Sequence, residues 1–267
     1  METVKLYNNE VELVFDPITH TYTANGEIVL GVTSIVGILD KPALLYWVNR
    51  LDAEYLEEVL QPGMTIDELN KVAIISGIKG LFRKKSKDAA DIGTAVHAYL
   101  ETYLKAGINK QPLPELPVNP LIRKAVLAFI GWTKENNVKF LNSELKVYSK
   151  NHKYAGTLDA EAIVNGKKAI VDFKTSSGIY PEMYIQASAY AKALEEERGE
   201  KFDEVWILRI PKDGSEFGYA KMDNIDLYFK SFLGCLENYK RIRWEANEKI
   251  KEAKVKLSKL VESKEVK

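Results

Sequence analysis

Asp159, Asp172 and Lys174 are the residues of this chain whose types and spacing could do chemistry together. The two aspartates flank an Asn165-Gly166 pair set between hydrophobic runs. That pair predicts a β-hairpin with a two-residue type I′ turn, because both turn positions need positive φ. Counting outward from Val164 opposite Lys167 places Ala162 opposite Ala169, Ala160 opposite Val171, Asp159 opposite Asp172, Leu158 opposite Phe173 and Thr157 opposite Lys174. Side chains alternate faces along a strand. One face of the hairpin therefore carries Leu158, Ala160, Ala162, Val164, Ala169, Val171 and Phe173, and the other carries Asp159, Asp172 and Lys174. Two carboxylates ~5 Å apart at an effective dielectric of about 20 repel by on the order of 3 kcal/mol. A hard divalent cation such as Mg²⁺ relieves that repulsion by taking carboxylate and carbonyl oxygens as ligands. The alternative at this point is a solvated polar face on an edge hairpin, where Asp and Lys are ordinary.

The elements around the hairpin must position this face. Residues 11–31 alternate and turn at Asn25-Gly26, which predicts an amino-terminal β-hairpin, and Pro42 to Leu60 has the period of an amphipathic helix. A second helical stretch, from about Thr65 to Ser76, leads into the densest basic run of the chain, Lys79, Arg83, Lys84, Lys85 and Lys87. That run is either a solvated loop or a patch that steers phosphates. The next helix is expected from Asp88 to Lys105, capped near Ser86 or Lys87 and stopped by Gly107. Its buried stripe would be Ile92, Val96, Tyr99, Leu100 and Tyr103, with His97 at the edge of the stripe and Glu101 one turn on. A lone histidine in that place is commonly a satisfied core residue.

Gln111 to Pro120 carries Pro112, Pro114 and Pro117, which predicts an irregular connector and a rim for the cleft; Pro120 then opens a helix to about Asn136. Phe140 to Ser149 reads as a strand bearing Glu144, and His152 belongs to turn chemistry. Beyond Lys174, Pro181 begins a helix with Gln186 and Tyr190 one turn apart on one face, ended by Gly199. An amide and a phenol so placed could bond phosphate or sugar oxygens, or brace Lys174; the alternative is a plain surface helix. Glu204 to Pro211 is an apolar strand, a Lys212-Asp-Gly turn returns the chain through Phe217 to Met222, and the residues from Asp223 onward are helical in pattern, with Ile250, Leu257, Leu260 and Val261 widely spaced among Lys, Glu and Ala. The order of elements predicts an α/β fold with a mixed β-sheet core flanked by α-helices, an amino-terminal β-hairpin and helical elaboration, and a long carboxy-terminal helix. One domain over 1–267 is expected, divided into the elaboration (1–87), the core (88–222) and the helical segment (223–267).

The run Tyr154-Ala-Gly-Thr-Leu-Asp159, then Asp172-Phe-Lys174-Thr-Ser, then Gln186-x-x-x-Tyr190, preceded by Gly93-Thr-Ala-Val-His97-Ala-Tyr-Leu-Glu101, resembles the RecB-like branch of the PD-(D/E)XK nucleases. These segments lie between about Asp88 and about Tyr190. Phe15-Asp-Pro-Ile-Thr-His-Thr-Tyr22, Gly31-Val-Thr-Ser-Ile-Val36 and Pro42-Ala-Leu-Leu-Tyr-Trp47 are similar to the amino-terminal part of phage-encoded exonucleases of that group. The resemblance implies a restriction-endonuclease-like fold. It also implies metal ligation by Asp159, Asp172, the backbone carbonyl of Phe173 and His97, with Lys174 positioning or activating water. Glu144, Glu101, Gln186 and Tyr190 take supporting roles. The implied activity is Mg²⁺- or Mn²⁺-dependent hydrolysis of DNA, as an exonuclease of phage or bacterial recombination and repair. An endonuclease of the same fold is the alternative, and a non-catalytic DNA-binding recombination subunit is a second one. The implied partner is DNA, as single strands or duplex ends; a single-strand annealing protein, a recombinase or a second copy of the chain are further partners the resemblance leaves open.

Composition bounds these readings. The 267 residues are 46% hydrophobic, ample for a buried core, and 38 Lys plus Arg balance 38 Asp plus Glu, so affinity for DNA must be local. Cys235 is the only cysteine, which excludes internal disulfides and a four-cysteine iron-sulfur cluster. No G-x-x-x-x-G-K-[ST] loop occurs, so no bound nucleotide is expected. Neither a signal-peptide pattern nor an apolar run near the ~18 residues needed to span a bilayer is present, and a cytoplasmic setting, in a bacterial cell or phage-infected host, is the expectation.

Overall fold

The computed structural model describes residues 1–212 and 214–265, and the side chains of these apart from 89, 244 and 247–265. The elements in chain order are β1 (Glu2–Leu6), β2 (Val11–Asp16), β3 (Thr21–Ala24), β4 (Glu27–Gly31), α1 (Val32–Val36), α2 (Pro42–Val59), α3 (Glu68–Ile108), α4 (Pro120–Glu135), β5 (Lys139–Ser149), β6 (Tyr154–Val164), β7 (Lys167–Lys174), α5 (Pro181–Arg198), β8 (Glu204–Arg209), β9 (Gly218–Met222) and α6 (Ile225–Glu265). The strands form one nine-stranded mixed sheet in the order β1-β2-β3-β4-β6-β7-β8-β9, with β5 also paired to β6. Helices cover it, so the fold is the expected α/β type with a mixed sheet, flanking helices and a long carboxy-terminal helix.

Asn165 (φ 48°) and Gly166 (φ 83°) supply the two positive φ angles of the β6–β7 turn, and the ladder closes as counted: Val164 with Lys167, Ala162 with Ala169, Ala160 with Val171. Period two then sorts the core. Ala160, Ala162, Val164, Ala169, Val171 and Phe173 pack against Val96, Leu100 and Leu104 of α3 and Phe129 and Trp132 of α4. On the other side Ile170, Val205 and Tyr154 pack against α1, α5 and α6 through residues such as Ile35, Leu194 and Phe232. A third cluster joins β1, β2 and β3 to Tyr148 and Ala155.

Four expectations change. The ladder ends at Ala160–Val171 instead of running on to Thr157–Lys174, and Leu158, expected on the face of Ala160, pairs with Leu145 and joins the opposite core. The amino-terminal segment is a four-stranded antiparallel meander, because the chain turns again between Asp16 and Thr21, where His20 takes φ 52°. The break foreseen near Ser86 and Lys87 does not exist: α3 runs unbroken from Glu68 to Ile108 and is capped by Asp67, whose side chain accepts from the Asn70 N–H at 2.7 Å. Arg83 to Lys87 contains only good or neutral helix formers and no Gly or Pro, so a solvated basic run has nothing to stop it from being helix. Within α3, Ile92 is exposed, while Leu104 takes the buried place assigned to it. Asp213 and the side chains of Ile250, Leu257, Leu260 and Val261 lie outside the described residues.

Candidate active site

The site is a fork in the sheet. On its β7 side β6 is paired only at its two ends, to β4 through Tyr154 and Ala155 and to β7 from Ala160 onward. From Asp172 to Lys174, β7 keeps only its parallel pairing with β8, which runs from Ala169 to Lys174. Asp159 stands where the strands part. Its Oδ2 accepts the Phe173 N–H at 2.6 Å, so a carboxylate takes the place of the next backbone partner on the ladder. The other oxygen, Oδ1, is 3.7 Å from His97 Nδ1, beyond hydrogen-bonding distance. Thr157, in the same gap, is hydrogen-bonded through its hydroxyl to Tyr22 of β3 at 2.8 Å.

Asp172 and Lys174 point to one side of β7, as their spacing requires. Lys174 Nζ is 2.6 Å from Asp172 Oδ2, and the two side chains are 18% and 3% exposed. The contact is ionic: Oδ2 is buried and receives no aligned hydrogen bond. Burial raises the Asp172 pKa to about 6, the nearby Asp159 charge adds to that, and Lys174 opposes both. For Lys174 burial pulls the pKa down, but Asp172 and Asp159 together outweigh it and hold the ammonium above its ordinary value.

Glu144 lies across from Asp159, between the Ser143–Ala160 and Leu145–Leu158 pairs, with a left-handed φ of 54°. Burial, then Asp159, then Glu101 raise its pKa to about 7, against Lys146 and Lys105. Glu101 is itself ion-paired with Lys105 one turn on. Thus His97, Glu101, Glu144, Asp159, Asp172 and Lys174 converge from α3, β5, β6 and β7. The basic residues Lys79, Arg83, Lys84, Lys85 and Lys87 do not join them; they are exposed along the amino-terminal half of α3.

Two glycines let the surrounding elements close in. A Cβ on Gly156 would sit 2.5 Å from the Tyr190 ring, and one on Gly93 would sit 2.7 Å from Thr175 Oγ1, so α5 and α3 approach the fork at positions without side chains. Tyr190 is buried, which makes it a brace, and burial first and Asp172 second raise its phenol pKa. The Gln186 amide donates to the Tyr190 hydroxyl at 2.8 Å and to Thr33 Oγ1 at 3.4 Å, tying α5 to α1. Tyr22 and Thr33 lie in the amino-terminal segments quoted for the resemblance, which gives them no role at the site; their partners Thr157 and Gln186 are more than a hundred positions away.

Among the described residues no three His, Cys, Asp or Glu side chains form a ready metal cage. Instead, Asp159 accepts a backbone N–H and Asp172 is ion-paired with Lys174. Their chemistry nonetheless fits a hard divalent ion, since a buried carboxylate oxygen of Asp172 without an aligned donor stands near Asp159, whose charge adds to burial in raising the proton affinity of both Asp172 and Glu144. A separate cavity of about 370 Å³, lined by residues including His152, Lys192, Glu196 and Phe229, borders none of these groups. No helix among the described residues is long and apolar enough to cross a membrane.

No family model matches the chain, and no curated protein matches it. Among solved structures it is similar to SSO0001, with 16% identity over 70% of this chain and 85% of that one and a TM-score of 0.29. It is also similar to the alkaline exonuclease LHK-Exo from Laribacter hongkongensis, with 12% identity over 60% of this chain and 91% of that one and a TM-score of 0.27. The same exonuclease in complex with dAMP matches at 12% identity, over 57% of this chain and 85% of that one, with a TM-score of 0.27. At TM-scores this low no overall superposition of the folds is shown.

Proposed function

We propose that the protein is a divalent-metal-dependent DNA nuclease, acting as an exonuclease in recombination or repair. The observation that carries this reading is the fork itself: Asp159 and Asp172 at the parting of β6 and β7, with the Lys174 ammonium against Asp172. Asp159, Asp172 and the Phe173 carbonyl would hold Mg²⁺ or Mn²⁺, with His97 and Glu144 at its edge. A bound cation supplies Lewis acidity toward the scissile phosphate and lowers the pKa of water. The Lys174 ammonium, held against Asp172, is placed to orient water or to stabilise the charge that builds on the phosphate. The Phe173 N–H fixes the Asp159 carboxylate, which saves the site that reorganisation on binding. Gln186 and Tyr190 keep α5 and α1 in place behind the fork.

The exonuclease form of this reading rests on the resemblance of the amino-terminal segments to phage exonucleases, with the amino-terminal elaboration and the proline-rich connector proposed to close a channel over the cleft. Its test is a digest of end-labelled linear DNA, single-stranded and duplex, beside a covalently closed circle of the same sequence, with Mg²⁺, with Mn²⁺ and with chelator. Linear DNA should be degraded to short products only with metal, while the circle survives. Rapid cutting of the circle would replace the exonuclease with an endonuclease at the same centre, and no metal-dependent cleavage of either would remove the reading.

A further inference from the structure

The continuity of α3 puts its basic run and its site residues on one rigid rod. An α-helix turns about 100° and rises about 1.5 Å per residue, so positions about five turns apart return to the same azimuth some 27 Å along. Lys79, Arg83 and Lys87 are related in this way to His97, Glu101 and Lys105. The azimuth of the second set is fixed by His97, whose Nδ1 lies 3.7 Å from Asp159 Oδ1. Lys79, Arg83 and Lys87 therefore face the side on which the fork opens. Lys84 and Lys85 are rotated away from the middle of that stripe by roughly 100° and 160°.

The stripe is open along its length. Helix α2 leans on other azimuths of α3, through Tyr55 against Gly77 and Trp47 against Phe82. Between Lys87 and His97 the stripe carries only Ala90 and Thr94, and the Thr94 hydroxyl is folded back onto the Ala90 carbonyl at 3.0 Å. Lys79, Arg83 and Lys87 are exposed, and among the described residues no ion pair or hydrogen bond engages their side chains. At the site end, by contrast, Lys105 is taken by Glu101.

We propose that Lys79, Arg83 and Lys87 form a phosphate rail that holds a DNA strand along α3 and leads it to the fork, while Lys84 and Lys85 stand outside it. This rests on the nuclease reading for its substrate. The rail begins about 15 Å from His97 and ends about 27 Å from it along the helix axis. At about 3.4 Å per nucleotide of duplex strand, that is roughly four to eight nucleotides from the reacting phosphate. The run thus sets a length requirement for tight binding, and its cations are unequal by helical phase.

The test compares Lys79→Gln/Arg83→Gln/Lys87→Gln with Lys84→Gln/Lys85→Gln, glutamine preserving helix propensity, after melting shows both variants folded. Anisotropy of labelled DNA from about four to 24 nucleotides long, in chelator so that nothing is cut, reads the rail directly. Wild-type affinity should climb with length up to about eight nucleotides; the triple variant should lose at least tenfold on the longest DNA and little on the shortest. Its log–log salt slope should flatten by about 2 to 3, the value for three phosphates, whereas the double variant keeps the wild-type slope. Equal losses per charge removed in the two variants, or a loss in the triple variant that is the same at every length, would overturn the rail. Metal-dependent cleavage by the wild type is scored separately: its absence removes the nuclease reading, while the binding contrast still decides whether the rail exists.

Discussion

The Asp159 carboxylate occupies the hydrogen-bonding place that a backbone carbonyl of β6 would fill beside Phe173, at 2.6 Å from its N–H. At this bond the hairpin ladder ends and the sheet opens between Asp159 and Lys174. The bond also separates two roles of Asp159 that substitution can tell apart. Asp159→Ala leaves the N–H unpaired and should cost about 1–3 kcal/mol, a fall in Tm of roughly 2–10 °C for a chain of this size. Asp159→Asn retains an acceptor and should melt close to wild type, yet lose at least a hundredfold in cleavage. Equal melting of the two variants in chelator would show that the bond does not hold the fork.

Asp172 and Lys174 neutralise each other in a buried place. Removing one partner strands the other, so Asp172→Ala and Lys174→Met should each destabilise by about 3–5 kcal/mol. The double variant Asp172→Leu/Lys174→Met should be more stable than either. Calorimetric titration with Mn²⁺ separates the functions: Lys174→Met should bind the ion at least as well as wild type, because an ammonium is no ligand, while Asp172→Ala should bind it far more weakly. Cleavage is lost in both. Strictly additive melting effects would show that the two groups are not coupled.

The pH dependence has a definite sign. Asp172 and Glu144 have folded pKa values raised to about 6 and about 7, above those of the unfolded chain. Their contribution to stability is complete below about pH 4 and is lost as pH rises through 6 to 7, where the folded protein gives up protons that the unfolded chain has already released. The loss is at most a few kcal/mol for buried Asp172 and smaller for Glu144, which water partly screens. Metal-free protein should therefore lose stability between pH 5 and pH 8. Added Mg²⁺ or Mn²⁺ should raise Tm more at pH 8 than at pH 5, because the ion competes with those protons. A metal gain that is larger at pH 5 would contradict a carboxylate site.

Gly156→Ala and Gly93→Ala should fail differently. The first drives a methyl into the Tyr190 ring, which is packed and cannot withdraw, and should cost about 1–3 kcal/mol. The second makes one close contact, with the Thr175 hydroxyl, which can rotate away. It should melt near wild type but cleave more slowly, since Thr175 directly follows Lys174. Melting and initial rates of the two variants check this.

The β6–β7 register, the placing of Asp172 beside Lys174 and the sorting of the core residues beyond Asp159 were legible in the chain, because a two-residue turn and a period of two leave no freedom once Asn165-Gly166 is located. The helices opened by Pro42, Pro120 and Pro181 were legible for a similar reason, a local signal with one geometric outcome. The fork was not. Whether a ladder continues or yields to a side chain depends on what else reaches the strand, and β4, α1 and Tyr22 arrive at β6 from far along the chain. The continuity of α3 was also hidden, since a run of lysines is equally compatible with solvated loop and solvated helix until Asp67 caps one end and the core takes Val96, Leu100 and Leu104 at the other. Local stereochemistry thus determined the residues and their faces. Long-range packing decided where the sheet opens and which cations share a face with the site.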